Sequence, residues 1–178
     1  MGLYILQVIW LFLPAGCANM AAAASKCLPF LAYPVDANKT WRNEPIFGAH
    51  KTWRGLFFGL LAAIAMVYIQ QTTYYAGVNY YLFDYSHLNF WILGLLMGAG
   101  ALLGDLLRSF IKRRLHINPG TPWFPFDQVD WILGAIIFTA WYVPISLGQM
   151  ITAVLLSVLI HPLVNYICYL FHMQKNKF

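Results

Sequence analysis

Residues 90–114 read FWILGLLMGAGALLGDLLRSFIKRR. From Phe90 to about Phe110 the run is apolar but for Asp105, Arg108 and Ser109, and it has the length of about 20 residues that a helix needs to cross a bilayer core. Lys112-Arg113-Arg114 follows at once, a basic collar of the kind that flanks a membrane span on its cytoplasmic side. The rest of the chain extends this pattern. Of 178 residues, 61% are hydrophobic, 17% aromatic and only 10% charged. A soluble domain carries about 25% charge, so a solvated globular surface is excluded, and disorder needs the opposite composition. The expected class is an all-α integral membrane protein.

Working outward, four more spans are expected. Span 1 covers about Leu3–Ala24 and is interrupted by Pro14. Span 2 covers about Gly55–Tyr75 and ends in an aromatic belt, Tyr74-Tyr75. Pro144 and Gly148-Gln149 divide the last apolar run into span 4, about Gln128–Val143, and span 5, about Gln149–His172. The stretch before Pro14 has no preceding Lys or Arg, so it reads as a retained span rather than a signal peptide. Five transmembrane helices and one membrane-embedded domain, residues 1–178, are therefore expected. Cys17, Cys27 and Cys168 form no CxxC and are expected to be ordinary buried thiols.

This span count can be tested against the charges. Loop Ser25–Arg54 holds Lys26, Lys39, Arg42, Lys51 and Arg54. The end of span 3 and the loop Ile111–Phe126 hold Arg108, Lys112, Arg113 and Arg114, and the tail holds Lys175 and Lys177. Those are all 11 Lys and Arg of the chain. With five spans they fall on one side, which the positive-inside rule makes cytoplasmic, with the N-terminus outside and the C-terminus inside. The net charge of +5 then points to membrane orientation and a phosphate-bearing ligand, not to nucleic acid.

The chemistry is expected where acids stand among these cations. Asp105, Ser109 and Lys112 share one helical face at i, i+4 and i+7. An ionisable residue at membrane depth is a functional candidate, although an ion pair with Arg108 or Arg54 is the plainer alternative. Asp127 and Asp130, at i and i+3, open span 4 just after Pro125. Helix capping accounts for one of them, and with Asp105 they resemble a site for a hard cation such as Mg²⁺. Lys112-Arg113-Arg114 and His50-Lys51-Thr52-Trp53-Arg54-Gly55 suit anionic lipid or phosphate. Carboxylates, Lys/Arg and a divalent cation together fit phosphoryl or nucleotidyl transfer. Gly94-xxx-Gly98 and Gly100-xxx-Gly104 read as close helix packing. Pro119-Gly120 marks a tight turn whose N–H groups can approach a phosphate. His161 and Asn165, beside Pro162, read mainly as interhelical hydrogen bonding.

These motifs resemble a known family. Gly104-Asp105…Arg108-Ser109…Lys112-Arg113-Arg114, then Pro119-Gly120, then Pro125-Phe126-Asp127-Gln128-Val129-Asp130 is similar to the signature of the CTP:lipid-phosphate cytidylyltransferases. There a Ser-x-x-Lys-Arg segment precedes a D-x-x-D pair. The short chain, Gly48-Ala49-His50-Lys51-Thr52-Trp53-Arg54-Gly55 and Pro119-Gly120 make it most like the small CDP-archaeol synthase branch. It departs from the larger CDP-diacylglycerol synthases in its length and in having D-Q-x-D rather than D-R-x-D. The likeness runs from about Pro34 to Asp130, with weaker agreement near Pro14-Ala15…Ala18-Asn19.

The resemblance implies that CTP and a membrane lipid phosphate, archaeol-type or phosphatidate-like, give a CDP-lipid and pyrophosphate with Mg²⁺ as cofactor. It implies that Asp105, Asp127 and Asp130 hold metal, and that Lys112 and Arg113 bind the CTP phosphates. Ser109, in the same motif, would join them in binding substrate, with Asp105, Lys112, Asp127 and Asp130 as the catalytic set. His50, Lys51 and Arg54 would hold the lipid phosphate or triphosphate, with Asn19 nearby. The expected place is the cell's inner or plasma membrane, with the site facing the cytoplasm. Two other readings stay open: a CTP-dependent lipid kinase, and a non-enzymatic small transporter or lipid-binding subunit.

Overall fold

The computed structural model describes residues 2–78, 81–118 and 121–170, without the side chains of 161–162 and 164–170. Five α-helices account for most of it: α1 (Gly2–Ala24), α2 (Trp53–Tyr75), α3 (Phe90–Arg114), α4 (Phe126–Thr139) and α5 (Leu147–Leu170). A 3-10 turn, Ser25–Cys27, follows α1, and a two-stranded hairpin, β1 (Thr40–Trp41) and β2 (Glu44–Pro45), lies in the first long loop. Helices are the outcome expected of apolar runs that must satisfy every backbone group internally. α1, α2 and α3 are long and apolar enough to cross a membrane. α4 has 14 residues, about 21 Å at 1.5 Å per residue.

The surface is apolar where a soluble bundle would be charged. On α5 Leu147, Ile151, Leu155, Leu159 and Leu163 are all exposed at four-residue spacing, while Ala153 and Ser157 are buried. Leu95, Leu103 and Leu107 do the same on α3. Such continuous apolar stripes suit contact with lipid.

α3 is the central element, and its glycines explain why. An added Cβ on Gly94 would come 2.6 Å from Ile64 Cα, and one on Gly98 would come 2.8 Å from Ala63 Cβ, both on α2. On the opposite side a Cβ on Gly100 would come 2.5 Å from the Gly134 carbonyl oxygen, and one on Gly104 would collide with the Asp130 carbonyl, both on α4. The two small-residue ridges thus serve two neighbours, in the manner expected of membrane helices that pack backbone to backbone.

The helix limits follow local signals. Asn89 caps α3, its Oδ1 accepting from Trp91 N at 2.9 Å and Ile92 N at 3.3 Å. Thr52 caps α2 by accepting from Gly55 N. Pro14 does not interrupt α1, contrary to expectation. A proline at that position cannot donate to the carbonyl of Trp10, four residues earlier. The fully buried Gln70 of α2 supplies the missing donor from its side-chain amide.

Three further expectations need correction. Ile111–Arg114, expected in a loop, continue α3 by another turn. Span 4, expected to reach Val143, ends as a helix at Thr139. Cys27 is exposed and Cys17 only partly buried, because Cys27 lies beyond the packed part of α1. Pro119-Gly120, Lys175 and Lys177, and the side chains of His161, Pro162, Asn165 and Cys168, lie outside the described residues.

Candidate active site

The first loop delivers cations to the start of α2. Val35 N donates to Lys51 O at 2.8 Å, Trp53 N to Tyr33 O at 3.0 Å and Arg54 N to Leu31 O at 2.9 Å. The chain at 31–35 therefore runs against 51–54 and fixes Lys51 beside α3. Asp36 closes the loop on itself. Its carboxylate accepts from Asn38 N at 3.0 Å, Phe47 N at 2.9 Å and Gly48 N at 3.0 Å. Burial alone would raise the Asp36 pKa, but these N–H donors outweigh it and hold the carboxyl below its usual 3.8. Gly48 sits at φ +98°, a conformation that suits glycine.

The far end of the loop is clamped to α3. Arg114 donates to the carbonyls of Trp41 at 2.6 Å, Pro45 at 2.6 Å and Glu44 at 3.2 Å. Its guanidinium also lies over the rings of Trp41 and Phe110, which stack with centroids 5.5 Å apart.

α3 and α4 bring the acids together. Gly104 permits contact with α4 at Asp130, so the next residue, Asp105, stands beside the first turn of α4. Arg108 lies at the centre. It contacts Asp105 through Nη2, Asp127 through Nη1 at 2.5 Å and Asp130 through Nε at 2.6 Å. Lys51 Nζ pairs with the other oxygen of Asp105. Lys112 Nζ lies 3.2 Å from both oxygens of Asp127 and donates to Thr121 O at 2.5 Å. Asp127 also accepts from Trp123 N at 2.7 Å.

Charge alone balances here, with three carboxylates against Arg108, Lys51 and Lys112. Hydrogen bonding does not. Arg108 Nε is near Asp130 Oδ2 but outside hydrogen-bond geometry, and Asp130 Oδ1 is buried with no partner among the described residues. An unsatisfied buried carboxylate oxygen is costly and marks a place for a ligand or ion.

Lys51, Asp105, Arg108, Asp127 and Asp130 line a cavity of about 200 Å³ together with Asn19, Lys26, His50, Thr52 and the apolar Ala22, Ala23, Leu56, Leu102 and Leu106. Of the residues expected from sequence, the structure gathers Asn19, His50, Lys51, Asp105, Asp127 and Asp130 there. Arg54 instead donates to the Leu28 carbonyl. Ser109 and Arg113 are buried in the helix packing outside the cavity wall, and Lys112 is buried behind Asp127. Arg108 and Lys26 are the additions. Arg108 stands at i+3 from Asp105, a spacing visible in sequence but there read as an ion pair only. Among the described residues no three His, Cys, Asp or Glu side chains form a group that could hold one metal ion, and Arg108 contacts all three acids.

The chain is similar to known proteins along its whole length. The family described as CarS-like, CDP-archaeol synthase, matches residues 1–178. A CDP-archaeol synthase of Pyrococcus furiosus is 37% identical over 166 residues, 93% of each chain. One from Pyrobaculum islandicum is 33% identical, covering 98% of this chain and 97% of its own. One from Methanococcus maripaludis is 35% identical, covering 97% and 96%. A solved structure described as an intramembrane enzyme for archaeal membrane lipids biosynthesis superposes with a TM-score of 0.72 at 29% identity, covering 90% of this chain and 94% of that one. On the strength of its sequence from end to end and of its helical scaffold, this chain belongs to the CDP-archaeol synthase family.

Proposed function

We propose that the protein transfers CMP from CTP to an archaeol-type lipid phosphate, giving a CDP-lipid and pyrophosphate. The observation that carries the reading is the cavity where Asp105, Asp127 and Asp130 meet Arg108 and Lys51 beside apolar helix walls. The lipid's chains stay in the bilayer while the nucleotide arrives from water, so the reacting groups belong at the ends of the helices. An oxygen of the lipid phosphate attacks the α-phosphorus of CTP. The bond between the α-phosphorus and its bridging oxygen breaks, and pyrophosphate leaves. No protein nucleophile is required, and a phosphate already ionised needs no general base. The protein's part is to position two anions and neutralise their charge. Lys26, His50 and Lys51 face the cavity for that purpose, and Asn19 offers its amide to a phosphate or the base. Lys112 holds Asp127 in place from behind.

The donor set fits Mg²⁺: carboxylate oxygens only, one of them on Asp130 buried and unpaired. Asp105, Asp127 and Asp130 would hold the ion. When bound, it supplies charge neutralisation at the triphosphate. Residues 1–178 act in this reading as one membrane-embedded domain of five spans in the cell's plasma membrane. The N-terminus is outside, and the C-terminus and active site are cytoplasmic. The confinement of Lys and Arg to the loops and tail that five spans assign to one side supports this.

The test uses purified protein, labelled CTP, Mg²⁺ and a panel of lipid phosphates. CDP-lipid and pyrophosphate are the expected products; release of CDP would indicate a kinase instead. Asp127→Asn and Asp130→Asn are expected to abolish turnover while the protein still inserts, and full activity in both would remove the metal-site assignment. A reporter fused at Lys175 that worked only outside the cell would reverse the topology.

A further inference from the structure

We propose that Arg108 is the cation site's own counter-ion, held by Asp105, Asp127 and Asp130 until a triphosphate draws its guanidinium away and a divalent cation takes its place. This deepens the reading of those carboxylates as a metal site and rests on it.

Each nitrogen of the guanidinium contacts a different acid. One side chain thus occupies the position from which all three can be neutralised. With the guanidinium between them, the three acids do not form a group that could hold one ion among the described residues. A metal cannot simply be added to this arrangement, because the guanidinium must move first.

The three acids are also unequal. Asp105 keeps Lys51 and Asp127 keeps Lys112 if Arg108 departs. Among the described residues Asp130 has no second cation at ion-pair distance, and its Oδ1 is already buried and unpaired. Leaving a buried carboxylate uncompensated is strongly unfavourable, so Arg108 cannot leave for water alone. Departure requires both a cation to replace it and an anion to receive it. The guanidinium lines the same cavity as Lys26, His50 and Lys51, and its planar fork is well matched to phosphate oxygens. A triphosphate in that cavity meets both conditions at once when it arrives with its metal. Metal and nucleotide therefore bind with positive coupling, each weak by itself.

The test measures Mn²⁺ binding by electron paramagnetic resonance on the full-length protein in detergent, without nucleotide. Arg108→Gln is expected to bind Mn²⁺ about tenfold more tightly than the wild type, a typical size for coupling at one site. Adding Asp130→Asn is expected to abolish the gain. Equal or weaker binding by Arg108→Gln overturns the proposal. If that variant does not fold, Arg108→Lys carries the test. One ammonium cannot reach three carboxylates, so tighter Mn²⁺ binding is again expected, and wild-type affinity overturns the proposal.

A parallel measurement separates the two levels. Binding of CTP to the wild type by equilibrium dialysis is expected to depend on Mn²⁺ and on Asp127. If it depends on neither, the metal site itself is wrong, and the counter-ion role falls with it. If it depends on both while the Arg108 variants bind Mn²⁺ no better, only the role of Arg108 is wrong.

Discussion

Gly104→Ala joins the helix packing to the chemistry. The added methyl would stand 2.9 Å from the Asp130 carbonyl carbon, nearer still to its oxygen, and 3.5 Å from Gly134 Cα. Carbon atoms prefer separations of about 3.5–4.0 Å, so α3 and α4 must part by at least roughly 0.6–1.1 Å. The obstacle is backbone, and no rotamer change relieves it. Overpacking of this kind costs about 1–3 kcal/mol, and the upper end applies here. Alanine returns about 1 kcal/mol of helix propensity. The net loss is about 2 kcal/mol, or about 4–8 °C in melting temperature for a chain of this size. The same displacement moves Asp105 away from Asp130, and a shift of about 1 Å among reacting groups can lower turnover about 100-fold. Thermal unfolding in detergent and CMP transfer from labelled CTP measure the two effects. Gly16→Ala is the control, since its methyl would meet only a Trp131 ring carbon at 3.9 Å. A Gly104→Ala protein as stable and active as the Gly16→Ala protein would show that the α3–α4 contact does not set the site.

Other outcomes test other parts of the structure. Asp36→Asn removes charge from a carboxylate that accepts three backbone N–H bonds, at a cost of about 1–3 kcal/mol at neutral pH. Because the folded Asp36 pKa lies below the usual 3.8, its contribution is full above that value and fades as pH falls through the folded pKa. The gap in melting temperature between wild type and Asp36→Asn should therefore close in acid, and a constant gap would contradict this account. Arg114→Gln should free the hairpin at Thr40–Pro45 and speed its cleavage by a protease with little change in global melting. Gln70→Leu should lower the melting temperature by leaving the Trp10 carbonyl unpaired. The loss should be much smaller in a Pro14→Ala background, where residue 14 regains its N–H, and equal losses in both backgrounds would remove the assigned pairing.

The helices were legible because the bilayer imposes a length, and apolar runs of that length are hard to read otherwise. Asp105, Asp127 and Asp130 were legible because so few acids occur in the chain. The partners of the basic residues were not. Lys112, Arg113 and Arg114 are adjacent in sequence, yet α3 turns one toward Asp127, one into the packing and one onto the hairpin. Only the continuation of the helix past Ile111 decides which goes where. The hairpin was not legible because Arg42 and Asn43 both adopt positive φ, the form of a two-residue turn usually marked by glycine. Arg108 was visible as a neighbour of Asp105 on one helix. Its contacts with Asp127 and Asp130 depend on how close α4 comes, and that closeness is set by Gly100, Gly104 and Gly134.

The bond from Gln70 to the Trp10 carbonyl also bears on how the chain enters the membrane. α1 emerges from the ribosome before α2, and alone in lipid it would carry a carbonyl that Pro14 leaves without a donor. Hydrocarbon offers that carbonyl nothing. α2 brings the amide, so the first two helices satisfy each other only as a pair. The unit that partitions into the bilayer is then the α1–α2 hairpin rather than the single helix, and synthesis must proceed beyond Gln70 before α1 is fully at home there.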